Sequence, residues 1–139
     1  MRAAATLDIR LIVPARAEHV ALCRDLLTGV VRTAGLDSGE LADLRVAVSE
    51  AVTNAVVHGS RDGESIEVAY AAGPGLVVVE VEDGGAGFDP AAVAVPADDL
   101  PEHGLGLALL RTLADEFEVG RRGSGDGCRV RLVKRHSVS

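Results

Sequence analysis

Along this chain the spacing of apolar residues changes several times, and each change marks an element. Residues 7–13 alternate loosely and predict a strand closed by Pro14. Between 17 and 34 the apolar side chains fall at Val20, Cys23, Leu26, Leu27, Val30, Val31 and Ala34. Steps of three and four predict a helix, and Gly35 suits its C-terminal cap. Asp37, with Glu40 three residues on, has the form of a capping box and opens a second predicted helix running to His58, where Gly59 ends it. Ile66, Val68 and Tyr70 alternate with polar or small residues as in a strand. A Gly-rich turn at 71–75 then returns the chain in a second strand over 76–82, with Val77, Val79 and Val81 on one side. Residues 84–103 are rich in Gly, Pro, Ala and Asp and show no period, which predicts a functional loop or lid. Helical spacing resumes over 105–114. Two last strands, 117–121 and 128–133, are predicted as a hairpin with Cys128, Val130 and Leu132 inward and Arg129 and Arg131 outward. The order β-α-α-β-β-lid-α-β-β predicts an α/β (α+β) two-layer sandwich, a mainly antiparallel mixed sheet packed against about three helices.

Composition narrows the function classes. At 139 residues the chain suits one domain, read as 1–139, and its core must be aliphatic because Phe88, Phe117 and Tyr70 are the only aromatics. A net charge of −7 and the lack of stacking platforms argue against a nucleic-acid surface. No apolar run reaches a membrane span and the N-terminus lacks a signal-peptide core, so a cytoplasmic protein is expected. Cys23 and Cys128 form no CxxC pair and suggest neither a metal site nor a disulfide framework. Lys134 is the only lysine, and no GxxxxGK[ST] sequence exists, so nucleotide chemistry cannot use a P-loop.

Three segments carry candidate chemistry. Glu50, Asn54 and His58 recur every four residues through an apolar stretch, so on a helix they stack along one stripe. A helix that buries most of its surface yet aligns a carboxylate, an amide and an imidazole suits the wall of a cavity. Asp83-Gly84-Gly85-Ala86-Gly87 ends a buried strand, where a carboxylate can accept from an exocyclic amine while glycines admit a planar ligand to the backbone. His103-Gly104-Leu105-Gly106 precedes a helix and offers unpaired N–H groups to a phosphate.

In this order the three segments resemble the N, G1 and G2 boxes of the GHKL (Bergerat-fold) ATPase superfamily. The run 50–59 is most similar to the anti-sigma factor serine kinases, the SpoIIAB and RsbW group, and Pro14 and Arg24 also match that group. The resemblance covers about 9–133. It implies a Bergerat ATP-binding fold with an ATP lid, and ATP and Mg²⁺ as cofactors. Asn54 would hold Mg²⁺ and Glu50 would act as general base. Asp83 would read the adenine amine beside Gly85 and Gly87; His103, Gly104, Leu105, Gly106 and Leu107 would cradle phosphate. His58 would either border the pocket or stabilise the helix C-terminal dipole. Arg24 would contact a partner. The implied partners are a sigma factor, a STAS-domain anti-anti-sigma protein and a second copy of the chain.

Two departures stand out. Where the group often has Gly-Thr-Thr, this chain has Gly127-Cys128-Arg129, and Glu102-His103 replaces a basic residue before the second glycine box. They motivate an alternative reading as an ATP-binding regulator with little kinase activity. A third reading, a detached histidine-kinase catalytic domain, lacks the upstream dimerisation helices and phosphoacceptor histidine.

Overall fold

The computed structural model describes residues 7–59, 64–83, 105–121 and 128–137. Five strands, β1 (Leu7–Pro14), β2 (Ser65–Gly73), β3 (Leu76–Asp83), β4 (Glu116–Arg121) and β5 (Cys128–Arg135), form one sheet in the order β1-β2-β3-β5-β4. Every pairing is antiparallel, so the sheet has no parallel component among the described residues and the expected "mixed" character is absent. Three helices, α1 (Val20–Ala34), α2 (Ser38–Asn54) and α3 (Leu105–Leu113), pack on one face.

Alternation decides which face that is. In β3, Val77, Val79, Val81 and Asp83 are buried, whereas Leu76, Val78, Glu80 and Glu82 are partly exposed. Val130 and Leu132 of β5 and Ile66, Val68 and Tyr70 of β2 join the buried side, against Leu27, Val30 and Val31 of α1 and Leu44, Val48 and Val52 of α2. The opposite face is solvated and carries cross-strand ion pairs, Arg10–Glu67 and Arg129–Glu80, each at 3.3 Å. Such exposed pairs add little stability, so burial of the aliphatic layer holds the fold together. Within that layer the Tyr70 hydroxyl donates to the Cys23 carbonyl at 2.7 Å, which satisfies the one phenol the core contains.

Two helix ends differ from the periodicity. A 3₁₀ turn, Ala17–His19, precedes α1 proper, and the Pro14 carbonyl meets the His19 ring at 3.0 Å. The α-helical part of α2 stops at Asn54 and continues as a π-helix, Ala55–Gly59; at the junction the Ala55 N–H is shared between the carbonyls of Ala51 and Val52. Wider π turns take more residues each, so the His58 backbone lags behind the Glu50–Asn54 line instead of extending it. Gly35 closes α1 at φ +78°, its N–H bonded to the Arg32 and Val31 carbonyls, and the Leu36 N–H also reaches Val31. That is a Schellman ending, which only a glycine adopts without strain.

The antiparallel register gives the sheet two distinct ends. Pro14, Ser65, Asp83, Cys128 and Arg121 lie at one, called upper here; Leu7, Gly73, Leu76, Glu116 and Arg135 lie at the other. Helix α2 starts at the lower end. Its Asp37 carboxylate accepts from the Glu40 N–H at 2.8 Å while the Glu40 carboxylate accepts from the Asp37 N–H at 2.9 Å, the capping box read from the sequence. Glu40 also takes the tail that leaves β5: the His136 ring nitrogen Nδ1 lies 2.8 Å away and the Ser137 N–H 2.6 Å.

This latch has a pH signature. The His136 hydrogen bond, then the Asp37 N–H, hold Glu40 down from 4.5 to about 2. The same bond to Glu40 raises His136 above 6.5. The glutamate contribution is therefore present above about 4.5 and lost as pH falls towards 2, and the histidine contribution is present below about 6.5 and lost as pH rises through the higher folded value. Thermal melts of wild type and His136→Ala across pH 3–9 should differ most between pH ~4.5 and ~6.5 and converge on either side. A difference independent of pH would contradict the latch.

Candidate nucleotide site

The chain's layering sends two polar side chains into the interior at the upper end. Asp83 continues the inward series of β3 and is 4% exposed; Asn54, in the last α-turn of α2, is 8% exposed. The π segment that follows Asn54 packs on β3, which places the amide helix and the aspartate strand at the same end and on the same side of the sheet. Cys128, the first residue of β5, is the cross-strand partner of Asp83 and is 2% exposed. Glu50 stands one helical turn before Asn54 and is half-buried.

Burial has different consequences for these groups. The Asn54 amide nitrogen Nδ2 is buried and finds no hydrogen-bond partner among the described residues. Such a group costs on the order of 1–3 kcal/mol when nothing satisfies it, and an acceptor on a bound ligand would satisfy it. A carboxamide presents either its oxygen or its nitrogen by rotation, and its oxygen is a hard-cation ligand. Beside Asp83, the Cys128 thiol is pushed up to about 12, first by burial and then by the aspartate's negative charge. It is a neutral neighbour of the Asp83 carboxylate, whose oxygens are acceptors. One buried acceptor and one amide suit a nucleotide whose triphosphate supplies the remaining oxygens around a magnesium ion.

Helix α3 begins at Leu105. The N–H groups of Leu105, Gly106 and Leu107 belong to its first turn, where no intrahelical carbonyl reaches them. Gly85, Gly87, His103 and Gly104 lie outside the described residues, as do the side chains of His58, Leu105 and Leu107. Arg24 lies elsewhere, on the α1–α2 surface. Its Nε is 3.9 Å from Asp25, which is 3.8 Å from Arg45 of α2, and Arg45 also donates to the Thr28 hydroxyl at 3.0 Å. The described structure thus brings Asn54, Asp83 and Cys128 to one end and leaves Arg24 on a separate helical surface.

A second cluster, Asp37, Glu40 and His136, holds metal-type ligand atoms within 4.8 Å of one another. Those atoms are committed to the capping box and tail latch, so the cluster is structural. Sequence reading found the Asp37–Glu40 capping box but missed His136, which lies far away in the chain and sits in no motif.

Relatives agree with the geometry. The "Histidine kinase-like ATPase domain" family matches residues 13–134. The serine-protein kinase RsbW of Bacillus thuringiensis (strain Al Hakam) is 33% identical over 121 residues, covering 80% of this chain and 76% of the relative, and that of Bacillus anthracis gives the same figures. A solved structure of the RsbU and RsbW domains of a Mycobacterium tuberculosis protein superposes with a TM-score of 0.66 at 26% identity. It covers 96% of this chain, which spans 35% of that larger one. No helix among the described residues is long and apolar enough to cross a membrane.

The buried thiols yield a direct test. With Cys128 near 12, about one thiol in 10⁴ is ionised at pH 8, and Cys23 is raised by burial as well. Iodoacetamide at pH 8 should label neither cysteine in the folded protein and both in 8 M urea; rapid labelling of folded Cys128 would contradict the buried Asp83–Cys128 pair.

The matched family, the kinase relatives and the shared fold together show that this chain belongs to the histidine kinase-like (GHKL) ATPase family, in its RsbW-like anti-sigma factor serine kinase group.

Proposed function

We propose that the chain binds Mg-ATP at the upper end of the sheet and phosphorylates a serine of a STAS-type anti-anti-sigma protein, and that it sequesters a sigma factor when that partner is phosphorylated. The observation that carries the reading is the buried amide of Asn54, whose nitrogen has no partner among the described residues, on the same side and at the same end as buried Asp83. Asn54 would hold the magnesium ion, which when bound neutralises phosphate charge. Asp83 accepts from an exocyclic N–H. An acceptor-only carboxylate favours the adenine amine and repels a carbonyl at the same ring position. Cys128, neutral beside it, adds no second charge at the base.

The N–H groups that open α3 face phosphate, with the positive end of the helix dipole behind them. Glu50 lies four residues before Asn54, about 6 Å along the helix axis, and takes the proton of the attacking serine hydroxyl. Transfer of this type asks the protein for position and charge more than for covalent chemistry. The phosphoserine formed adds close to two negative charges, which expel the product by repulsion and desolvation. Arg24, with its Nε lacking a hydrogen-bond partner among the described residues, is the partner contact on the α1–α2 surface. A homodimer completes the assembly expected of the group.

Cys128 favours a second reading. A thiol is a weak donor where relatives carry a hydroxyl, so nucleotide affinity and transfer rate are both lowered, in the limit to a binding regulator without turnover. Incubation with Mg-ATP and the cognate STAS protein separates the two. The kinase reading predicts phosphoserine on the partner and a loss of about 10²–10⁴ in rate for Glu50→Ala, with ATP affinity almost unchanged. Tight ATP binding with no phosphoserine selects the regulator; a Glu50→Ala rate equal to wild type contradicts the base assignment.

A further inference from the structure

The chain spends its only lysine in the interior. Lys134 continues the inward series of β5 after Cys128, Val130 and Leu132, and its side chain is 12% exposed. Its ammonium donates to the Asp43 carboxylate of α2 at 3.1 Å and to the Leu113 carbonyl at 2.8 Å. The other thirteen basic residues are all arginine. Removing an ammonium from water is costly, and a methionine or leucine would fill the same space without that cost. A compact charge with three donors does what neither an apolar side chain nor a planar guanidinium does as well: it ties one strand to two helices at a single point.

Leu113 is the last residue of α3, so its carbonyl is one of the four that a helix leaves unpaired, at the negative end of the dipole. The turn that follows is pinned to the same strand. The Asp115 N–H donates to the Val133 carbonyl at 2.8 Å, and the Asp115 carboxylate accepts from the Arg135 N–H at 2.6 Å. The C-terminus of α3 is therefore fixed at the lower end of the molecule, and α3 runs antiparallel to α2, along which it packs. From Asp43 to Asn54 is eleven residues, about 16 Å of helix; from Leu113 back to Leu105 is eight, about 12 Å. The start of α3 stands about 12 Å from the Lys134 clamp, and a tilt of about 10° about that point moves it by about 2 Å.

We propose that Lys134 is a positioning residue: by clamping the C-terminus of α3 to α2 and β5, it sets where the phosphate-binding amides at the other end of α3 stand relative to Asn54, and so governs affinity for the triphosphate and not for the base. This rests on the Mg-ATP reading above. The base is read by Asp83 at the upper end of β3, while the Lys134 side chain bonds to Asp43 and Leu113 at the lower end, so loss of the clamp acts on phosphate selectively. A purely structural lysine would lower stability and weaken every ligand alike.

The test compares Mg-ATP and adenosine, each competing with a fluorescent ATP analogue, on the full chain as wild type, Lys134→Met and Asp43→Asn, with thermal unfolding as the check on folding. Lys134→Met should weaken Mg-ATP by about tenfold and adenosine by less than about twofold. Asp43→Asn, at a half-exposed position that tolerates change, keeps the lysine and should give a smaller loss with the same preference for ATP. Hydrogen exchange should quicken in α3 of Lys134→Met while β1 and β2 stay protected. Equal losses for both ligands, or no loss in either variant, overturn the inference with the nucleotide reading intact. Should Lys134→Met fail to fold, an Asp43→Asn protein with an unchanged ATP-to-adenosine ratio overturns it. A wild type that binds neither ligand removes the nucleotide reading, and the clamp's role falls with it.

Discussion

A polar group taken out of water must find a partner, and this constraint organises the molecule. Three polar side chains are buried among the described residues, Glu40, Asn54 and Asp83. Glu40, at the lower end, is surrounded by donors: two backbone N–H groups and an imidazole. Asn54, at the upper end, has an amide nitrogen that the described residues leave unpaired. The same helix carries both. One end of α2 is completed by the chain itself, and the other, on the reading proposed here, by the nucleotide complex.

Among the described residues the sheet is covered by helices on one face only. Antiparallel strands expose a charged outer face cheaply, and the inner face needs a continuous aliphatic layer to hold three helices at fixed distances. Valine, leucine and alanine supply it, with Tyr70 satisfied by the Cys23 carbonyl. A layer of this kind holds α2 and α3 against each other, which fixes where their upper ends stand. The relatives' description as serine-protein kinases fits a site in which the fold supplies position and a carboxylate supplies basicity.

Much of this was legible in the residues. The alternation at Val77, Val79 and Val81 was legible as one face of a strand; that the strand runs one residue past 82 and so carries Asp83 onto the same buried face is a finding of the structure. Asp37 and Glu40 announced the start of α2 through a local rule, and Gly35 the end of α1. The stripe from Glu50 to Asn54 survived as drawn, but its extension to His58 did not, since a π turn follows from packing on β3 and leaves no local mark in the sequence. The Glu40–His136 latch and the Lys134 clamp were equally hidden. Both join residues more than ninety positions apart, and the one signal available was compositional, a single lysine in a chain that otherwise uses arginine.

On the proposed reading, Asn54 couples magnesium to nucleotide binding beside Asp83. Calorimetric titration of ATP, with magnesium and with EDTA, into wild type and Asn54→Ala measures that coupling directly. Magnesium should tighten ATP binding to wild type, and Asn54→Ala should lose this dependence, at an affinity close to that of wild type in EDTA. An Asn54→Ala protein that responds to magnesium as wild type does, or a wild type that takes up no ATP, would contradict it.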